Sequence, residues 1–219
     1  MSPNNCKIIP TTDPVASYYA AKNENPNNIL EGGGSRKKRG IGDHTKYWRP
    51  GKTLKILVYS YNEHSFEAVK SAASKWLPYV NLKFEFIEIE EDAIYQSNEF
   101  LGDIRVDFQV AFDGSGGSKL GTDSLTGSPH APSMTLGTDF SSADYEYRAT
   151  HEFGHALGLL HEHQHPDANI PFDRERTYTY FGSINFNKTD IDTNVFPLER
   201  IPGRLHEPYD RLSLSLIHI

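Results

Sequence analysis

The spacing of apolar positions changes period along the chain, and each change predicts an element. From Thr53 to Ser60 the run TLKILVYS has the β-branched and aromatic content of a strand, with Leu54, Ile56 and Val58 alternating to one face. Phe66, Val69, Ala72, Ala73, Trp76 and Leu77 then recur at three- and four-residue steps, which predicts an amphipathic helix lying on a sheet and ended with the help of Pro78. Strict alternation returns at Leu82 to Ile89 (LKFEFIEI) and Ile104 to Val110 (IRVDFQV), giving two more half-buried strands. Strand, helix, strand, strand implies a mixed sheet. Asp113 to Ser118 (DGSGGS) reads as a flexible loop, and Ser133 to Gly137 (SMTLG) as a short strand suited to a sheet edge. Ala143 to Leu160 is the next helical pattern, with Tyr147, Phe153, Ala156 and Leu157 as its apolar stripe and Gly158 interrupting it near the end. No internal repeat is present.

Before residue 44 the periodicity fails. Residues 1–43 are rich in Asn, Pro, Gly and Lys and read as a disordered tail or a pro-segment, with order beginning near Lys46-Tyr47-Trp48. Within it, Arg36-Lys37-Lys38-Arg39 follows Gly32-Gly33-Gly34-Ser35, the makings of a solvated linker or a processing site. The chain's 219 residues suit one buried domain, and a formal net charge of -7 offers no broad basic surface, so nucleic acid is not an expected partner. Cys6 is the single cysteine and can form no internal disulfide. The first ten residues lack the charged and apolar regions of a signal peptide, and no apolar run approaches membrane-spanning length, so no membrane partner is expected.

The chemistry concentrates in His151-Glu152-Phe153-Gly154-His155-Ala156-Leu157-Gly158-Leu159-Leu160-His161, which fills every fixed position of HExxHxxGxxH. Four helical residues rotate the chain by about 400°, so His151 and His155 project from one face, one turn apart. On a continuing helix His161 lies about 9 Å beyond His155, too far to share a metal, so the chain must turn back. Gly158 supplies that turn, because glycine enters a left-handed helix end without strain. Three neutral imidazoles leave a coordination position for water on one Zn²⁺ ion, and Glu152 is placed beside it as general base. The alternative is a site that holds zinc for stability and binds peptides without cutting them. His163 and His165 read as exposed loop residues, and His44, His64, His130 and His206 as isolated surface histidines.

HEFGHALGLLHEH resembles the zinc motif of the metzincin metalloproteases, and the HE after the glycine turn is similar to their astacin-like branch. Lys46 to Gly51 before a strand, and Gly121-Thr122-Asp123 with Ser133-Met134-Thr135-Leu136-Gly137, extend the resemblance over about residues 46 to 213. It implies an α/β catalytic domain (44–213) with a twisted mixed sheet, two long helices and a smaller irregular C-terminal lobe. It also implies hydrolysis of peptide bonds in proteins by a secreted, monomeric enzyme, with Ser133 to Gly137 as the edge strand that pairs with an extended substrate. The family's Met-turn and its nearby tyrosine have no counterpart. Tyr209 to Ser213 is similar to the approach to that turn, after which Leu214 to Ile219 read as non-native sequence, identical to a translated sequencing adapter.

Overall fold

In the computed structural model, residues 6–29, 44–199 and 208–209 are described. The basic run at 36–39, the stretch from Asp210 to Ser213 and the ending 214–219 lie outside them, as does His206. The described elements in chain order are β1 (Cys6–Ile9), α1 (Pro14–Glu24), β2 (Thr53–Tyr59), α2 (Ser65–Ser74), β3 (Lys83–Ile89), β4 (Ile104–Phe108), β5 (Gly116–Lys119), β6 (Met134–Leu136), α3 (Tyr145–Ala156), α4 (Arg174–Ser183) and α5 (Lys188–Asn194). This is the mixed α/β architecture expected from the alternating periods.

The strands form one sheet in the order β1-β5-β6-β4-β2-β3. β3, β2, β4 and β6 run parallel, β5 is antiparallel to β6, and β1 adds itself parallel to β5. On one face Leu54, Ile56 and Val58 of β2 are buried against Val69, Ala72 and Ala73 of α2 and Ala149, Phe153 and Ala156 of α3. On the other, Leu57 and Tyr59 pack with Ile94. Both faces of β2 are therefore covered, as a strand central to a parallel array requires. Within α3 the apolar stripe is Tyr145, Ala149, Phe153 and Ala156, all buried. Tyr147, expected in that stripe, is half-buried, one turn before His151.

Two tryptophans fasten α3 to this frame. Trp48 Nε1 donates to the Ala156 carbonyl (2.8 Å) and Trp76 Nε1 to the Thr150 carbonyl (2.8 Å). The indole of Trp48 thereby satisfies a carbonyl in the last turn, where helices run out of internal donors.

Two expectations need correction. Ser133 to Gly137 do not form an edge: β6 is buried between β4 and β5, with both hydrogen-bonding sides occupied. The outer strand of residues 44–199 on that side is β5, drawn from the Gly-rich stretch expected to be a loop. Its glycine has a packing reason, since a Cβ on Gly116 would come 2.6 Å from Glu152 Cγ. Residues 6–29 are likewise no structureless tail. They carry β1 on the sheet and α1, whose start is capped by the Asp13 side chain accepting from the Val15 and Ala16 amides.

Candidate metal centre

α3 carries the first two histidines, and its last turn sets the third. Leu159 N donates to the Gly154 carbonyl (3.0 Å) and Gly158 N to the His155 carbonyl (2.9 Å), a Schellman closure with Gly158 at φ 104°. The helix stops at Ala156, and the chain reverses to bring His161 back to His151 and His155. The three Nε2 atoms converge, with His155 at 3.0 Å from His151 and 3.1 Å from His161. The turn expected from Gly158 is the one the structure contains.

A fourth donor completes the group. Cys6 Sγ lies 2.9 Å from His151 Nε2, 3.2 Å from His155 Nε2 and 3.3 Å from His161 Nε2. All four donor atoms fall within 4.8 Å of one another. A tetrahedral ion with bonds of about 2.0–2.3 Å to nitrogen and sulfur has ligand-to-ligand edges of about 3.3–3.6 Å, close to this spacing. The protonation pattern also fits a cation. His155 Nδ1 donates to the Leu159 carbonyl (2.8 Å), which leaves a lone pair on Nε2 pointing at the other rings. Burial holds His155 down to about 4, opposed by that carbonyl, and holds His161 well below the usual imidazole range. Neutral rings whose lone pairs converge on one point, with a thiol beside them, are satisfied by a metal ion and not by each other.

Glu152 stands next to this group, 1% exposed, and its Oε2 has no hydrogen-bond partner among the described residues. Burial pushes its carboxyl up to about 8, partly offset by a hydrogen bond with Cys6. The Cys6 thiol is in turn raised well above its ordinary value by burial and by Glu152. A cation held by the thiol and the three imidazoles would favour the charged forms of both Cys6 and Glu152.

Sequence reasoning missed three contributors. Cys6, a lone cysteine, forms no disulfide, and the one signal for it in the sequence is a three-histidine set with a coordination position open to a thiol. His163 is buried, not exposed, and its Nε2 donates to the Asn194 carbonyl (2.9 Å). Gln164, fully buried, donates to the Thr193 and Phe196 carbonyls (2.8 and 3.1 Å). These bonds tie α5 to the segment that follows the third histidine. His165 is also largely covered, its ring stacked on Tyr209 with centroids 6.0 Å apart.

No family model and no curated protein matches the chain at a significant level. Solved structures do. One of myroilysin matches at 31% identity and a TM-score of 0.65, covering 78% of this chain and 79% of that one; a second, at 30% identity and 0.55, covers 78% and 71%. High choriolytic enzyme 1, a hatching enzyme zinc-protease from Oryzias latipes (Medaka fish), shares the fold at 18% identity and a TM-score of 0.50, covering 78% and 72%. With the complete zinc motif on a matching fold and this level of identity over most of both chains, the protein belongs to the astacin-like branch of the metzincin zinc metalloproteases.

Proposed function

We propose that the chain is a zinc-dependent endopeptidase, folded here in a latent form in which Cys6 covers the one coordination position that hydrolysis needs. The observation that carries this is the convergence of Cys6 Sγ on the three Nε2 atoms beside a buried Glu152. His151, His155 and His161 would hold one Zn²⁺. Bound there, the ion supplies a Lewis acid that polarises the scissile carbonyl and lowers the pKa of water towards about 7. Glu152 takes the proton from the attacking water and delivers it to the leaving amine nitrogen, so no covalent acyl-enzyme is needed. β5, once uncovered, offers its free edge to an extended protein substrate. Secretion as a monomer is part of the same reading.

A second reading has one observation in its favour: four donor atoms converge, and a closed four-ligand set is the mark of a structural zinc site. In that case the domain binds peptides, or only folds around its metal. Glu152 speaks against it, because a structural site has no use for a buried carboxylate beside its ligands.

Zinc-dependent cleavage of an unfolded protein by the full chain separates the two, measured beside Glu152→Gln and Cys6→Ala. Cys6→Ala is expected to raise activity and Glu152→Gln to lower it by about 10²–10⁴-fold, with zinc still bound by both. Zinc retention with no cleavage by any of the three, even after proteolytic removal of the N-terminal segment, supports the structural reading.

A further inference from the structure

The strand that carries Cys6 lies in a channel, and its next residue occupies a built pocket. Side chains alternate along β1, so Lys7 points away from the metal group and towards α5. Its Nζ lies 2.7 Å from Asp190 Oδ2 and 5.7 Å from the centre of the Phe186 ring. The Asp190 side chain is only 5% exposed. Beside it, the Asn194 carboxamide accepts from Ile8 N (2.7 Å) and donates to the Ile8 carbonyl (3.3 Å), reading the backbone as a neighbouring strand does. β5 holds the opposite edge, with Lys7 in register with Gly117. An extended chain is thus gripped between a strand and a helix, with an anionic, aromatic-walled pocket one residue from the metal.

We propose that the Asp190 and Phe186 pocket is a specificity site that takes a lysine or arginine side chain next to the scissile bond, and that Lys7 fills it while the enzyme is covered. This rests on the protease reading. Once the N-terminal segment leaves, the Asp190 carboxylate faces the cleft without its ammonium partner. A basic substrate side chain restores the charge pair and the ring contact, whereas a neutral or acidic one leaves the carboxylate uncompensated. The pocket is held in place relative to the metal because His163 and Gln164, just after the third ligand, bond the carbonyls of Asn194, Thr193 and Phe196. Selectivity of this kind has a repulsive part as well as an attractive one, so acidic residues at that position should be rejected.

The test opens the full chain with a glutamate-specific protease, which cannot imitate a basic preference, and compares matched peptides differing at the residues flanking the cut. Lysine is expected to exceed norleucine in kcat/KM by at least 10-fold at one flanking position, with glutamate poorest and the lysine advantage shrinking as salt rises. Asp190→Asn should collapse the lysine-to-norleucine ratio towards one. Because Asp190 also accepts from Asn187 N in a capping box, that variant can fail to fold; Phe186→Leu then serves, with the ratio reduced several-fold. Cleavage with no basic preference at either flanking position overturns the pocket and leaves the protease standing. No cleavage of any peptide removes both.

Discussion

Gly158 decides whether the third histidine reaches the other two. At φ 104° it occupies backbone space that an L side chain enters only under strain, and a Cβ there would lie 2.9 Å from Tyr47 Cδ1. Gly158→Ala is expected to cost about 1–3 kcal/mol of stability. It should also weaken metal binding, since relieving the strain moves His161. Melting with and without added zinc checks this: the alanine variant should lose more of the metal-dependent increment than of the metal-free stability. His163 makes a different residue-scale prediction. Burial holds it down to about 4, against the Asn194 carbonyl that it bonds. Because its folded value lies below the unfolded one, the unfolded chain binds more protons between about pH 6.5 and 4, and stability must fall as pH drops through that window. The size is about 3 kcal/mol for this residue alone. In metal-free protein His163→Gln, which keeps a donor for Asn194, should show a shallower loss of urea stability from pH 7 to 4; an unchanged slope counts against the assignment.

Among the elements, β4 carries the most demanding single group. Arg105 is fully buried, and its guanidinium donates to the carbonyls of Ala131 (2.8 Å), Gly102 (3.1 Å) and Ser124 (2.7 Å) while lying over the Phe100 ring. It ties the β3–β4 and β5–β6 connections to the strand beside β6. Arg105→Met keeps much of the volume but abandons three buried acceptors, each of which costs about 1–3 kcal/mol when unsatisfied. A loss of at least about 3 kcal/mol in chemical denaturation is expected, and a loss below about 1 kcal/mol would show that water replaces the guanidinium. The sequence showed β4 by its alternation but gave no sign that Arg105, sitting on the charged beat of IRVDFQV, points inward. The same limit applies more widely. β2, β3, α2 and α3 were legible because their apolar periods are long and regular. β5 was not, because Gly116 answers to Glu152 packing against it and not to strand propensity. α4 and α5 were not read at all: α4 has no buried residue, and α5 spans only seven, so neither carries a usable stripe.

At the scale of the whole molecule, the N-terminal segment and the metal group depend on each other. Beyond Cys6, the segment is fixed by Lys7 on Asp190, by Ile8 on Asn194, by the Ser17 hydroxyl donating to buried Asp123 (2.5 Å), and by Asn28, whose side chain bonds both Tyr47 N and its carbonyl (2.9 Å each). Lys46 pairs with the same Asp123 carboxylate. The three histidines were readable because their spacing is local, whereas the fourth donor comes from 145 residues away, and only the fold brings it in. These anchors hold the thiol in place, and a metal ion bound by the thiol would in return hold the segment that carries them. Coupling of this kind is reciprocal, so whatever factor the segment adds to metal affinity, the metal adds to segment docking. Two observations must then agree. Cobalt-loaded full chain should show thiolate-to-cobalt charge-transfer absorption that Cys6→Ala lacks, and chelator should strip metal faster from that variant. Chelator should likewise speed proteolytic nicking within residues 6–29 of the wild-type chain while leaving the rate in Cys6→Ala nearly unchanged. If nicking is indifferent to chelator, the anchors alone hold the segment and Cys6 is a passenger in the cleft; if it accelerates in both proteins alike, the metal stabilises the histidine turn and owes nothing to the thiol.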